Sequence, residues 1–205
     1  RLLTKMGFRY SSYSTEFDLT DVHGSVSPFS QTFFAGTGAV GTILKLSQFL
    51  SLNLNIAQAF RAPNLSDMAK LGQSKGDVFE VPNSTLKPEQ LLNTDLGLKV
   101  SSPNLRLSAT VYRSKITDIL TSDDATYAGA DTAIINGEVF KVKTKRNIGE
   151  AVIRGAEFSF DYSPVDPLKF RANLTSTIGE NTTLNEPVGG IPPLFGLAGI
   201  RWNRG

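Results

Sequence analysis

Apolar and polar residues alternate with a period of two along most of this sequence. The clearest segment spans residues 50–61, where one face carries Leu50, Leu52, Leu54, Ile56 and Phe60. Side chains of a β-strand point alternately to opposite faces, whereas those of an α-helix repeat about every 3.6 residues, so this pattern predicts strands. Similar segments lie near residues 2–10, 32–46, 92–100, 105–112, 152–162 and 168–175, and a further strand is predicted at residues 194–202, where apolar residues occupy both faces. The sequence therefore predicts an all-β fold of about eight strands.

The ten prolines agree with these boundaries. A proline lacks the backbone N–H that a strand ladder uses, so it is confined to edges, bulges and connections. We therefore expect every proline to lie between strands, at positions 28, 63, 82, 88, 103, 164, 167, 187, 192 and 193.

The connections between the predicted strands alternate in length. Short turns at residues 47–49, 101–104 and 163–167 separate long excursions at about 11–31, 62–90, 121–150 and 180–193. Outer-membrane barrels have short periplasmic turns and long extracellular loops, and strands of about 9–11 residues cross the bilayer at a tilt. The sequence thus predicts an antiparallel meander in the wall of a transmembrane β-barrel, with its apolar face toward lipid.

Period-two alternation by itself is compatible with two other architectures. A soluble secreted β-sandwich, acting as a binding module, would hide its apolar face in a core. Eight strands could also close into a small outer-membrane barrel, acting as an anchor or adhesin, if the first strand paired with the last. The alternating connection lengths disfavour the sandwich and leave the small barrel open.

Composition narrows the function classes further. The sequence has 205 residues and a formal net charge of +2, which is too small to indicate nucleic-acid binding. It contains no cysteine, and no run of about 18 apolar residues predicts a membrane-spanning helix. No zinc-ligand spacing is present, so no metal site and no cofactor are predicted. Because the sequence opens and stops close to predicted strands, we expect a piece of a longer protein.

Several polar features have an ordinary structural explanation beside a functional one. Residues 36–41 spell the GxGxxG dinucleotide fingerprint, but a strand rather than a helix follows, so we expect strand glycines. Asp123 and Asp124 could bind calcium, although their spacing does not fit an EF-hand and we expect solvated loop acids. The single histidine, His23, is expected on a loop surface.

Four cations, Lys141, Lys143, Lys145 and Arg146, follow one another closely in the third long connection. They predict a strand end that projects beyond the membrane with a solvated charged face. The functional alternative is contact with the phosphates of outer-membrane lipid, including lipopolysaccharide.

Several blocks of the sequence resemble a known family. Residues 60–67 read FRAPNLSD, residues 81–90 read VPNSTLKPEQ, and residues 93–98 read NTDLGL. Residues 147–151 read NIGEA, residues 154–157 read RGAE, and residues 191–193 read IPP. In this order and spacing the blocks resemble the C-terminal half of the β-barrel of TonB-dependent outer-membrane receptors.

The resemblance implies both a fold and a function. Family barrels have about 22 strands around a plug, so residues 1–205 would form a partial barrel, with the plug and the other strands absent from this sequence. It implies import of a scarce nutrient, such as an iron–siderophore complex, across the outer membrane of a Gram-negative bacterium. The TonB complex would supply energy through the plug, and no enzymatic chemistry is expected.

Candidate ligand contacts come from the loops and the upper lumen, because the resemblance implies that ligand binds above the plug. The candidates are Arg61, Asn64, Asp67 and Tyr127. Arg61 is predicted to face the lumen near the outer rim, where a guanidinium suits anionic chelates. The alternative is a structural role, in which Arg61 pairs with an acid on a neighbouring strand or on the plug.

Overall fold

All eight predicted segments form strands in the computed structural model, which describes residues 1–17 and 29–203. In chain order, the elements are β1 Leu2–Phe17, β2 Phe29–Lys45, β3 Leu50–Arg61, α1 Leu65–Ala69, β4 Gly72–Gln73, β5 Val78–Val81, β6 Glu89–Ser101, β7 Leu105–Asp124, β8 Thr132–Ile135, β9 Glu138–Val165, β10 Leu168–Asn181, β11 Glu186–Pro187 and β12 Phe195–Trp202. Several long strands extend beyond their predicted ends into the long connections.

The long strands form one antiparallel sheet, which confirms the predicted meander. Their order is β1-β2-β3-β6-β7-β9-β10, and β12 pairs with the free side of β10. Within the described residues, β1 pairs only with β2 and β12 only with β10, so the sheet is open. This argues against the small closed barrel, which would require β1 to pair with β12.

The prediction of about eight strands is incomplete, because the long connections contain four short strands as well. β4 pairs with β5, β8 forms a hairpin with β9, and β11 pairs with β10. β5 runs parallel to β9, from the pair Val78 and Lys141 to the pair Val81 and Thr144. Strands of two to four residues hold too few alternations to be recognised in a sequence, and a distant parallel partner leaves no local turn signal.

The expectation that every proline lies between strands is wrong for two of them. Pro164 lies near the end of β9, and Pro187 ends β11. The register between β9 and β10 shifts beside Pro164, so this proline occupies an irregularity that does not need its N–H. Pro187 belongs to a two-residue edge strand, where a missing donor is tolerated. Pro28 lies outside the described residues.

One face of the sheet is apolar across the long strands. A single cross-strand row consists of Leu2, Leu44, Leu52, Leu98, Ala109, Phe158 and Leu174. Side chains of this face remain accessible: Phe8 is 78% exposed near one edge, and Leu96 and Val111 are 50% and 54% exposed in the middle. A soluble sandwich would cover such a surface, so the exposure argues against that alternative.

The opposite face is polar, and its side chains bond to one another across the strands. Asp95 of β6 accepts hydrogen bonds from the side-chain amides of Asn55 at 3.1 Å and Asn93 at 3.0 Å. Ser114 of β7 donates its hydroxyl to Asn93 at 2.7 Å. This face therefore carries a hydrogen-bonded network rather than an apolar core, as a water-facing lumen requires.

A tyrosine and a glycine are fitted together on the same polar face. The hydroxyl of Tyr112 in β7 lies 2.7 Å from that of Thr177 in β10, and Gly155 of β9 stands between them in the register. The Tyr112 ring covers Gly155, where a Cβ would overlap both the ring and the carbonyl oxygen of Ser176. A glycine is needed here because of this close approach.

The buried side chains lie mostly in the connections. One cluster joins Met68 of α1 and Leu86 to Phe33 of β2, and another gathers Phe79, Ala133, Phe140 and Val142. The GxGxxG glycines lie within β2, and no helix follows them before β3. In the described part of the chain, no helix has the length and apolar character needed to span a membrane.

Candidate functional site

Arg61 and Glu89 are directly paired at the outer ends of β3 and β6. Arg61 donates from Nε to Glu89 Oε2 at 2.6 Å. Alternation along β3 places Arg61 on the polar face with Asn53 and Asn55, and at the end of the strand opposite to the short turn. Arg61 thus lies on the polar face, at the end of β3 that leads into a long connection; its place at the outer rim of a lumen stays a prediction.

Asn64 and Asp67 join the same cluster through the first turn of α1. Asn64 Oδ1 accepts the Asp67 backbone N–H at 2.8 Å, and Asp67 Oδ2 accepts the Asn64 N–H at 3.1 Å, which together form a capping box. Asp67 Oδ2 also accepts a hydrogen bond from Arg61 Nη1 at 2.9 Å. We call Arg61, Asn64, Asp67 and Glu89 the rim cluster.

The charges of the rim cluster stabilise one another. Arg61 is the twelfth residue of β3, beyond the roughly 9–11 residues with which a strand crosses a bilayer, so the cluster would lie outside a membrane-spanning segment. Burial raises the pKa of Glu89, but the Arg61 hydrogen bond, the Leu120 N–H bond and the Arg61 charge outweigh burial and lower that pKa below its ordinary value. Glu89 is therefore held as the carboxylate.

This arrangement is a set of ion pairs that holds together the ends of β3 and β6 and the start of α1. The acids Asp67 and Glu89 each accept a hydrogen bond from Arg61, whose side chain remains 49% exposed. Pairing with an acid on a neighbouring strand is the structural alternative raised by the sequence, and Glu89 supplies that acid. Ligand contact by Arg61, Asn64 or Asp67 stays a prediction.

Tyr127, the fourth candidate, belongs to a different part of the long connections. It forms an isolated bridge with Ala130, and its ring centroid lies 5.1 Å from that of Phe79. It packs against the buried cluster that contains Val142. The structure therefore brings together three of the four candidates, and a role for Tyr127 in ligand binding also stays a prediction.

Asn147 of β9 is a rim residue that the site prediction did not include. Its Oδ1 accepts the Lys87 backbone N–H at 2.8 Å, and its Nδ2 donates to the carbonyl oxygens of Lys87 at 2.7 Å and Asp118 at 2.8 Å. Asn147 thus fixes the segment before Glu89 onto β7 and β9. Its place in the NIGEA block was the available signal, because that block and the KPE block meet here.

A polar recess of about 580 Å³ lies at the contact of Asn147 with Lys87 and Asp118. Its lining includes Asn83, Lys87, Asp118, Arg146 and Asn147. No group of three or more metal-ligating side chains occurs in the part of the chain that the structure describes, and His23 lies outside that part. The recess therefore offers amides and mixed charges to a polar ligand.

Asp123 and Asp124, the two acids that could bind calcium, are engaged in ion pairs. Asp124 Oδ1 lies 2.6 Å from Lys143 Nζ, and Asp123 Oδ2 lies 3.4 Å from Arg146 Nε. The hydrogen bond and charge of Lys143 lower the pKa of Asp124 at this outer strand end. Two of the four cations in the run thus have acidic partners, and the run lies in the first third of the 28-residue strand β9. Its projection beyond a membrane stays a prediction.

The whole chain is similar to known proteins of one kind. Residues 1–205 match the family model described as "TonB dependent receptor-like, beta-barrel". The solved structure of "Copper transporter OprC" is 20% identical with a TM-score of 0.76, over 100% of this chain and 30% of that one. A mutant of the ferric enterobactin receptor PfeA from Pseudomonas aeruginosa, in complex with enterobactin, is 22% identical with a TM-score of 0.67, over 82% of this chain and 26% of that one.

The siderophore receptor PirA from Acinetobacter baumannii is similar as well. It is 18% identical with a TM-score of 0.64, over 82% of this chain and 27% of that one. No curated protein sequence matches this chain. The chain spans less than a third of the length of each of these structures, and at these identities the likeness shows the fold alone.

Proposed function

Since the chain belongs to the TonB-dependent receptor β-barrel family, we propose that it forms part of the wall of an outer-membrane receptor that imports a scarce nutrient. TonB-dependent receptors are transporters and not enzymes, so no catalytic role is assigned to any residue. Residues 1–205 would be one stretch of the barrel, and the plug and the remaining strands would lie elsewhere in the whole protein. The TonB complex of a Gram-negative cell would supply the energy through that plug.

The observation that carries this proposal is the contrast between the two faces of one open sheet. The apolar face is continuous and exposed, whereas the polar face carries the Asp95 network and the rim cluster. A barrel wall places such faces against lipid and against a water-filled lumen. The short turns gather at one end and the long connections at the other, as in receptors whose loops meet the ligand outside the cell.

Single cysteines on opposite faces of one strand, in an intact receptor without other accessible thiols, give a direct test of this placement; residues 1–205 contain no cysteine of their own. Leu54→Cys and Asn53→Cys introduce neighbouring thiols on opposite faces of β3 in the intact receptor. We expect a fluorophore at position 54 to be quenched by bromine-bearing lipids, and the thiol at position 53 to react faster with a water-soluble reagent. Equal behaviour of the two positions, or the reverse pattern, would contradict a membrane wall.

We propose an iron–siderophore complex as the cargo, bound at the loops and the upper lumen. The support is chemical: ferric chelates are commonly anionic, and the end of the sheet with the long connections presents the half-exposed guanidinium of Arg61 and, around Asn147, a recess partly lined by amides. Uptake of iron from a panel of siderophores should fall in cells that lack the intact receptor, and should also fall when TonB is removed. Unchanged iron uptake with lost copper uptake would instead assign a copper cargo.

A further inference from the structure

Two arginines lie opposite each other on the apolar face. Arg113 of β7 and Arg154 of β9 are direct partners in the antiparallel ladder. They follow the pair of Val111 and Ala156, two residues further outward along the same face. Directly opposed side chains on one face of a sheet have Cβ atoms about 5 Å apart, where like charges repel. Because both arginines are exposed, an anion could lie between them and remove this repulsion.

The surrounding charges leave this patch positive. Lys115 lies two residues beyond Arg113 on the same face of β7. Glu180 Oε2 lies 3.4 Å from Arg154 Nη2, and Glu150 Oε2 lies 3.6 Å from Lys115 Nζ. Exposed ion pairs with these separations contribute little to stability. In the part of the chain that the structure describes, no acid pairs with Arg113.

The arginine pair also lies at a defined height along the barrel wall, measured from the end of β7 that follows the short turn. Arg113 is the ninth residue of β7, which places it about 26 Å along the strand from Leu105. At a strand tilt of about 40° this is a rise of about 20 Å, near the outer limit of an apolar band about 25 Å tall. Long cationic side chains at this height extend toward the headgroup region while their stems stay against acyl chains.

We propose that Arg113 and Arg154 bind a phosphate group of an outer-leaflet lipid headgroup, with Lys115 at the edge of the site. The planar guanidinium fork fits phosphate oxygens in pairs, and two forks side by side offer several charge-assisted donors. The lipid is favoured over free phosphate because apolar surface continues from the arginines, with Val111 54% and Ile178 69% exposed for acyl chains. The proposal rests on the proposed function, since it requires this face to meet lipid.

These residues differ from the cations that the sequence singled out for lipid contact. Lys143 is paired with Asp124, and Arg146 with Asp123, so part of that positive charge is already neutralised. The register instead places Arg113 and Arg154 in the rows of the apolar face itself. The cation run thus serves as a comparison site in the test.

The test uses the intact receptor, purified in detergent and incubated with lipid A that bears both of its phosphates. Native mass spectrometry measures the lipid A retained. We expect the double variant Arg113→Gln with Arg154→Gln to retain about tenfold less, since several charge-assisted hydrogen bonds are lost. Glu180→Gln should retain more, because it removes a competing acid.

Two double variants with the same change of charge serve as controls. Lys5→Gln with Lys99→Gln alters the polar face, and Lys143→Gln with Lys145→Gln alters the cation run; both should retain lipid A like the parent. Equal retention by the arginine variant and the parent would overturn the proposal. The proposal would also be overturned if the parent retained lipid A without phosphates as well as it retains lipid A with both phosphates.

Two further measurements identify the source of the phosphate and separate this proposal from the membrane-wall proposal. Displacement of lipid A by millimolar inorganic phosphate would overturn the lipid as the ligand; persistence of the complex supports it. Recovery of every variant in the outer-membrane fraction, as a barrel that resists detergent unfolding at room temperature, shows that the wall is intact. A loss of lipid A in such a barrel then reports on the arginine pair alone.

Discussion

Arg61 and Glu89 join the outer ends of β3 and β6 through a hydrogen bond of 2.6 Å between Nε and Oε2. The second oxygen of Glu89 accepts the backbone N–H of Leu120 in β7 at 2.9 Å. Asp67 attaches α1 to the same guanidinium. One pair of residues therefore links three strands and the only helix in the described part of the chain, beside the small apolar cluster around Met68.

Replacing Glu89 with glutamine should loosen this rim. The substitution removes the charge and leaves Arg61 Nε without its carboxylate partner, while Nη1 keeps Asp67. We expect this to cost about 1 kcal/mol, because the guanidinium is half exposed and screened by solvent. Proteolysis of residues 62–88 in the intact receptor measures the effect. Glu157→Gln is the matched control, since Glu157 lies exposed on the same sheet; an equal increase of cleavage in both variants would contradict the assignment.

The rim should also weaken in acid. The folded pKa of Glu89 lies below its ordinary value, so its contribution to stability is complete above about pH 4.3 and is lost as the pH falls through the folded pKa. Hydrogen exchange of the Leu120 amide, measured from neutral pH downward, should lose protection in that acidic range. In Glu89→Gln the same amide should show no such pH-dependent step.

Substitutions in the rim cluster can separate ligand contact from positioning. If Arg61 touches an anionic ligand, Arg61→Gln should lower ligand affinity much more than Glu89→Gln does. If Arg61 only positions the neighbouring segments through its ion pairs with Asp67 and Glu89, the two variants should lower ligand affinity by the same factor. Equilibrium binding of ferric siderophore to the intact receptor distinguishes these results, and unchanged affinity in Arg61→Gln excludes both roles.

Asn147 should matter for stability although it lies far from Lys87 in sequence. Asn147→Ala removes three hydrogen bonds to backbone groups, and we expect a loss of about 1–2 kcal/mol because water replaces part of them. Asn147→Asp keeps the acceptor for the Lys87 N–H, so its stability should lie between that of the parent and that of Asn147→Ala. Denaturant midpoints of the refolded receptor measure this, with Asn104→Ala, in an exposed turn, as the control; a loss no larger than in the control contradicts the assignment.

Gly155 should tolerate no side chain. Gly155→Ala places a Cβ against the Tyr112 ring and the Ser176 carbonyl oxygen, so we expect a destabilisation of about 2 kcal/mol or more. Adding Tyr112→Ala should restore only part of the stability, because the backbone oxygen remains. Unfolding of the refolded receptor measures each variant; full tolerance of Gly155→Ala would show that the ring does not cover this position.

The long strands could be predicted because their signal is local. Leu50 to Arg61 alternate without a break, and the structure forms β3 over the same residues. The place of Arg61 on the polar face of the sheet followed from the same periodicity. β5 and β8 escaped prediction because strands of four residues give little periodicity, and the pairing of Val78 with Lys141 depends on a partner far along the chain.

The sequence by itself determined which residues lie on the apolar face of the sheet and which on the polar face, since successive side chains of a strand point to opposite faces. Only the tertiary structure decided the partners: Glu89 for Arg61, Lys87 and Asp118 for Asn147, and Arg154 for Arg113. Such pairs depend on the register between strands. That register is fixed by hydrogen bonds and packing across the whole sheet, which no single segment encodes.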